Sequence, residues 1–187
     1  MASEFSRYAN ALSNLLKQRQ WEDVERFANS LLRIWQKRRL LLICGNGGSG
    51  ANAIHLANDF LYGIGSGNIP GMNVEALTAN SAVLTCLAND VGYESIFSTQ
   101  IEAKGKPSDL LLALSGSGNS PNIVEALEMG KKIGMETWAI VGFSGGKCAK
   151  HADHTIHLQV SDMQMSEDFQ LIVGHMCMQW LKKQVST

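Results

Sequence analysis

Asp109-Leu110-Leu111-Leu112-Ala113-Leu114-Ser115-Gly116-Ser117-Gly118-Asn119-Ser120-Pro121-Asn122 passes from an unbroken apolar run, through a loop of serine and glycine, into a helix start. A short continuous apolar run reads as a strand buried on both faces, as strands in a parallel sheet are. Ser120 suits the N-cap position and Pro121 the first helical turn. At such a junction the unpaired backbone N–H groups and the positive end of the helix dipole converge on one spot. Ser115, Ser117 and Ser120 add hydroxyl donors there, and Gly116 and Gly118 let a ligand approach the backbone. The loop suits an anion, most simply a phosphate. It lacks the GxxxxGK[ST] pattern, so a nucleotide P-loop is set aside.

Outward from this stretch the texture repeats. Further strands are predicted at 39–44, 73–77, 137–142 and 154–158, the last more polar and so at an edge. Between them lie helical patterns at about 49–62, 82–89, 121–133 and 147–151, with a long final helix over about 164–183. Strand-helix alternation of this kind predicts an α/β fold: a doubly wound five-stranded parallel sheet with right-handed crossovers. Ahead of it, Phe5, Tyr8, Leu12, Leu15 and Leu16, then Trp21, Val24, Phe27, Leu31, Ile34 and Trp35, recur at helical spacing. They predict an N-terminal helical hairpin over residues 1–38 that packs onto a second subunit. Residues 39–187 form the α/β core of the same single domain.

The 187 residues are 45% hydrophobic and 18% charged with a formal net charge of -1, an ordinary globular composition. No basic excess exists to hold a nucleic-acid backbone. Residues 1–16 mix Glu4, Arg7, Asn10 and Asn14 with apolar residues, unlike a signal peptide. No apolar run approaches the roughly 20 residues of a membrane helix. A soluble cytoplasmic protein without nucleic-acid or membrane partners is expected. Cys44, Cys86, Cys148 and Cys177 form no CxxC pair and read as reduced, packed thiols.

A second loop, Gly45-Asn46-Gly47-Gly48-Ser49-Gly50, follows the first strand and opens the next helix. It matches GxGxxG, but the nearest acidic residue for a ribose, Glu75, falls inside the next strand, so no nucleotide cofactor is expected. Its value is positional: loops at the carboxyl ends of neighbouring strands line one crevice, so both loops can address one ligand. Behind it, His55 and Asp59 stand at i, i+4 on one helix face. They suit an acid and base, two ligands of a divalent metal, or a plain hydrogen-bonded pair. Asn89 and Asp90 close an apolar helix before Val91-Gly92-Tyr93. Glu167 and His175 lie eight residues apart in a largely apolar helix, about 12 Å of rise and about 80° of rotation. One ion takes both only if their side chains reach toward each other.

These residues together resemble the SIS (sugar isomerase) domain family. The resemblance rests on Gly45-Asn46-Gly47-Gly48-Ser49 followed by His55, on Asn89-Asp90-Val91-Gly92-Tyr93, on Ser115-Gly116-Ser117-Gly118-Asn119-Ser120, and on His175. Within the family the chain is similar to the phosphoheptose isomerase branch, over nearly its whole length. That branch converts sedoheptulose 7-phosphate to an aldoheptose 7-phosphate for bacterial surface polysaccharides, as homotetramers with active sites between subunits. The resemblance implies phosphate binding by Ser115, Ser117 and Ser120 with Asn46, Gly47 and Ser49 nearby, and a sugar contact from Asp90. It implies zinc at His55, with Asp59, Glu167 and His175 completing the ligand set and supplying the catalytic groups. Three positions depart from the branch's pattern: Asp59 stands where it has Glu, Glu167 where it has Gln, and Tyr62-Gly63 where an Arg is usual. The alternative within the family is a non-catalytic sugar-phosphate regulator or a protein that binds the replication initiator.

Overall fold

The computed structural model describes residues 3–65 and 69–184. Five strands, β1 (Leu40–Gly45), β2 (Asn73–Ala76), β3 (Leu110–Ser115), β4 (Glu136–Val141) and β5 (His154–His157), form one sheet. All are parallel, in the order β2-β1-β3-β4-β5. The expected doubly wound sheet is therefore present, with β5 at an edge. Two buried layers explain the continuous apolar strands. Leu41, Ile43, Leu112, Leu114 and Trp138 face one side of the sheet. Leu42, Cys44, Leu111, Ala113 and Val141 face the other.

The first layer is covered by α2 (Glu22–Gln36), α3 (Gly47–Asn58) and α8 (Met163–Gln184). From α2, Val24, Phe27, Leu31 and Ile34 recur at helical spacing and are buried, and Phe27 packs on Trp138 with ring centroids 5.1 Å apart. The second layer is covered chiefly by α5 (Ser98–Lys104) and α6 (Pro121–Ile133), with α4 (Ser81–Asp90) and α7 (Cys148–His151) beside them. At the foot of the sheet the buried Asp109 carboxylate accepts from Leu40 N at 3.0 Å and Lys106 N at 2.9 Å, tying β1 to the approach of β3.

The N-terminal helix α1 (Glu4–Gln18) is capped by Ser3, whose hydroxyl accepts from Ser6 N. Yet none of its residues is buried, and Phe5 is 88% exposed. It is tied to the body by Leu15 and Leu16, partly buried against the core, and by the Tyr8 hydroxyl, which donates to Asp168 Oδ2 at 2.6 Å. That bond to a carboxylate pushes the Tyr8 pKa up to about 12.

Three features differ from the sequence expectation. Helix α5 was not anticipated, because Ser98 to Lys104 carries one apolar periodic residue, Ile101, and buries Ser98 and Gln100 beside it. The helix after β1 does not stay α-helical to residue 62: it widens into a π turn over Asp59–Gly63. Of the four cysteines, Cys86 is exposed. The others are packed thiols as expected, and burial pushes Cys148 up to about 11 and Cys177 to about 12.

Leu112, fully buried at the centre of the sheet, tests the packing. Leu112→Ala is expected to lower the unfolding free energy by about 3 kcal/mol, read from the shift in urea midpoint.

Candidate active site

The chain leaves β1 toward β2 on one side, while β3 pairs with β1 on the other, so the two neighbours open a crevice at their carboxyl ends. Both glycine-rich loops start there, level with one another, since Gly45 is paired with Leu114. Between them lies a cavity of about 250 Å³, lined by Asn46, Gly47, Gly48 and Ser49 from one loop and Ser115, Gly116, Ser117 and Ser120 from the other. Met163 and Glu167 of α8 form a further wall.

The serine loop is held from outside. A Cβ at Gly118, whose φ is +68, would lie 2.1 Å from the Gly145 carbonyl oxygen, so the loop is pressed onto residues 142–148 as only glycine allows. Gly142 N donates to Gly116 O at 2.9 Å and Cys148 N to Gly118 O at 2.8 Å. Ser115 Oγ accepts from Gly118 N at 3.1 Å. Ser120 occupies the N-cap of α6 with Pro121 behind it, as expected, but its hydroxyl makes no capping bond. It is left for a ligand, together with the N–H groups of the first turn of α3 and that of Asn122 in α6, where Pro121 has none and Ile123 N donates to Ser120 O at 3.1 Å.

The second half of the site runs down the seam between α3 and α8. At its top the Glu167 carboxylate lies against Gly48. One turn down, the fully buried Gln170 donates to Ser49 Oγ at 3.0 Å, and its own oxygen accepts from Asn52 Nδ2 at 3.0 Å. With an acceptor site of Ser49 thus filled, its O–H proton is free to be donated into the cavity. Asn52 also donates to the Glu167 backbone oxygen at 3.0 Å, fixing the turn that carries Glu167. Leu56 then packs on Gly174.

Below these, His55 Nε2 and His175 Nε2 stand 2.9 Å apart, and Asp59 Oδ2 lies 3.4 Å from the first and 3.3 Å from the second. Asp59 opens the π turn, and its short side chain still closes the triangle. Neighbouring donors of a tetrahedral zinc ion with bonds of about 2.0–2.1 Å stand about 3.3 Å apart, so the three atoms fit such an ion. Two imidazole nitrogens and one carboxylate oxygen with a position left open match a catalytic metal site better than a closed structural one.

Of the residues singled out from the sequence, the structure gathers Asn46, Gly47, Ser49, Ser115, Ser117, Ser120 and Glu167 around one cavity, and His55, Asp59 and His175 into one cluster. Glu167, expected in the ligand set, is not part of that cluster; the axial rise between it and His175 separates them. Asp90 does not line the cavity. It is exposed at the end of α4, where bonds from Asn89 and then Cys86 hold its carboxyl below the usual range. From the same segment it is Tyr93 that reaches the loops, its hydroxyl donating to Asn46 Oδ1 at 3.0 Å. Asn52, Gln170, Asn122 and Tyr93 were missed. For Gln170 a signal existed: an amide between Phe169 and Leu171 on an otherwise apolar helix needs a buried partner. His151, His154 and His157 make local contacts, with Glu128, Trp138 and Phe143 O respectively, as turn and edge-strand residues do.

Residues 4–142 match the SIS domain family. The phosphoheptose isomerase of Akkermansia muciniphila is 38% identical over 164 residues, 88% of this chain and 85% of that protein. That of Aneurinibacillus thermoaerophilus is 36% identical over 152 residues, covering 81% and 76%. Among solved structures, phosphoheptose isomerase GmhA from Neisseria gonorrhoeae superposes with a TM-score of 0.86 at 27% identity, over 96% of this chain and 95% of that one. The chain belongs to the SIS domain family, in its phosphoheptose isomerase branch.

Proposed function

We propose that the protein is a phosphoheptose isomerase, converting sedoheptulose 7-phosphate to D-glycero-D-manno-heptose 7-phosphate through an enediol. The observation that carries this is the meeting, along one α3–α8 seam, of an anion-ready cavity with one carboxylate in its wall, Glu167, and the His55–Asp59–His175 cluster. A carboxylate beside a phosphate works against binding by Coulomb repulsion, so a purely phosphate-sensing protein gains nothing from it. A proton-transfer catalyst does.

The serine loop and the first turns of α3 and α6 hold the phosphate and orient the sugar. Asn46, Gly47 and Ser49 complete the anion's shell, and Asp90 is the residue that the resemblance assigns to the sugar. One base removes a proton from C1 of the ketose, and the C–H electron pair forms the C1=C2 bond as the C2 carbonyl oxygen takes a proton. The O1 proton then leaves, C1=O forms, and the proton is delivered to C2, so nothing is gained or lost. His175 with Asp59 or Glu167 are the candidate groups. Glu167 is favoured for the carbon-to-carbon transfer because it lines the cavity, while Asp59 and His175 face one another. His55, Asp59 and His175 would hold one zinc ion, which when bound would polarise the carbonyl and stabilise the enediolate.

The unburied apolar stripe of α1, with Phe5 at its start, supports assembly through the N-terminal hairpin into the homotetramer that the branch forms. No described helix is long and apolar enough to cross a membrane. A cytoplasmic role in supplying heptose for surface polysaccharide follows from the branch.

Glu167→Gln keeps the shape of the side chain and removes its charge. Turnover, followed as deuterium exchange at the α-carbon by NMR in heavy water, is expected to fall about 10²- to 10⁴-fold, while affinity for inorganic phosphate stays equal or tightens. Full turnover in this variant would remove ionised Glu167 from the mechanism. Metal analysis of the purified protein after zinc loading is expected to give one ion per chain, lost in His175→Ala and weakened in Asp59→Asn. In light scattering on a sizing column the chain is expected at four times its 20.4 kDa; Phe5→Asp is expected to shift it to smaller species.

A further inference from the structure

Among the described residues, one pair of side chains joins the two loops, and the proposed chemistry leaves its role unassigned. Asn122, in the first turn of α6 and only 1% exposed, points its amide at that of Asn46 in the loop after β1. Asn46 Nδ2 donates to Asn122 Oδ1 at 2.8 Å, and Asn122 Nδ2 donates back to Asn46 Oδ1 at 2.9 Å. A third group closes on the same atom, because the Tyr93 hydroxyl donates to Asn46 Oδ1 at 3.0 Å. Tyr93 is brought there by Gly92, whose φ of +106 turns the chain out of α4 into the short 3-10 turn Tyr93–Ser95.

The arrangement has a chemical consequence. An amide oxygen has two lone pairs, and both of Asn46's are taken. Only one N–H of Asn46 remains for the cavity it lines. Asn46 can thus donate to a ligand but cannot accept from one. A phosphate oxygen, which only accepts, is served; a sugar hydroxyl seeking an acceptor is not.

We propose that Asn122 and Tyr93 are positioning residues for the phosphate subsite: together they set the gap between the two loops and turn Asn46 into a pure hydrogen-bond donor. The ligand class is a phosphate monoester dianion, and the inference rests on the reading of this cavity as the phosphate site. Neither residue touches the anion. Both act through Asn46.

The test uses the full chain and inorganic phosphate, titrated calorimetrically, alongside KM and kcat for sedoheptulose 7-phosphate. Asn122→Ala frees the Asn46 oxygen and unpins the loops, and is expected to weaken phosphate and raise KM about tenfold, the effect of one unsatisfied buried partner, with kcat changed far less. Asn122→Asp, which adds negative charge and can no longer donate, is expected to be worse. Tyr93→Phe, a change at an exposed ring that leaves folding untouched, is expected to weaken phosphate about twofold to fivefold. The decisive comparison is the double variant Asn46→Ala with Asn122→Ala, expected to bind phosphate no more weakly than Asn46→Ala alone. Losses that simply add would overturn the proposal, as would phosphate affinity unchanged in Asn122→Ala and Tyr93→Phe. A wild type that binds no phosphate at all would overturn the anion subsite and the brace with it. Phosphate bound with the expected pattern but no isomerisation would support the brace and sink only the isomerase reading.

Discussion

The pairing of β1 with β3 governs the rest of the site. These two strands are neighbours in the sheet but not in the chain, and Gly45 is in register with Leu114. A slip of one residue would turn every side chain of a strand to the opposite face and would raise one loop above the other. Because both strands are buried on both faces, the cost of such a slip is spread over Leu41, Leu42, Leu111 and Leu112, all fully buried. The hydrophobic layers on either side of the sheet are thus what hold two polar loops level at its edge.

From that edge the functional groups descend along a single contact, the seam between α3 and α8. Its stations alternate in character. Glu167 meets Gly48, Gln170 joins Ser49 and Asn52, Gly174 receives Leu56, and His175 meets His55. The buried amides of this seam are satisfied by one another, which gives the helices one rotation and one depth relative to each other. Glu167 and the histidines inherit that alignment without needing contacts of their own to enforce it.

The parts of this legible in the sequence were those with local physical signatures. Unbroken apolar runs marked the buried strands, and the serine and glycine loops could be placed at a crevice because strand-helix alternation dictates where such loops meet. His55 and Asp59 were legible as a pair because helical spacing is local. What escaped depended on distant partners. Asn122 sits one residue after Pro121, yet nothing nearby says that it faces Asn46, 76 positions earlier. Tyr93 escaped for the same reason: the positive φ at Gly92 that turns it toward Asn46, 47 positions earlier, has no local signature beyond the glycine itself. The π turn at Asp59 has no periodicity to announce it. Helix α5 was hidden because polar residues share its buried face with Ile101: Ser98 is buried there, and Gln100 donates to the carbonyls of Leu77 and Ile96.

Helix α8 carries Phe169, Val173, Cys177 and Leu181 onto the face of the sheet that α2 and α3 also cover. It follows every other described element in the chain, so it is made after all five strands. Until it emerges, the strands, both loops and His55 can form, but one face of the core lies open, and Glu167, Gln170 and His175 are all missing. Competence therefore waits on α8, which brings Glu167 to the cavity, Gln170 to Ser49 and His175 to the His55–Asp59 cluster. The same order carries a hazard, since an interrupted chain presents bare apolar sheet to its neighbours, and such fragments are natural clients for chaperones and proteases.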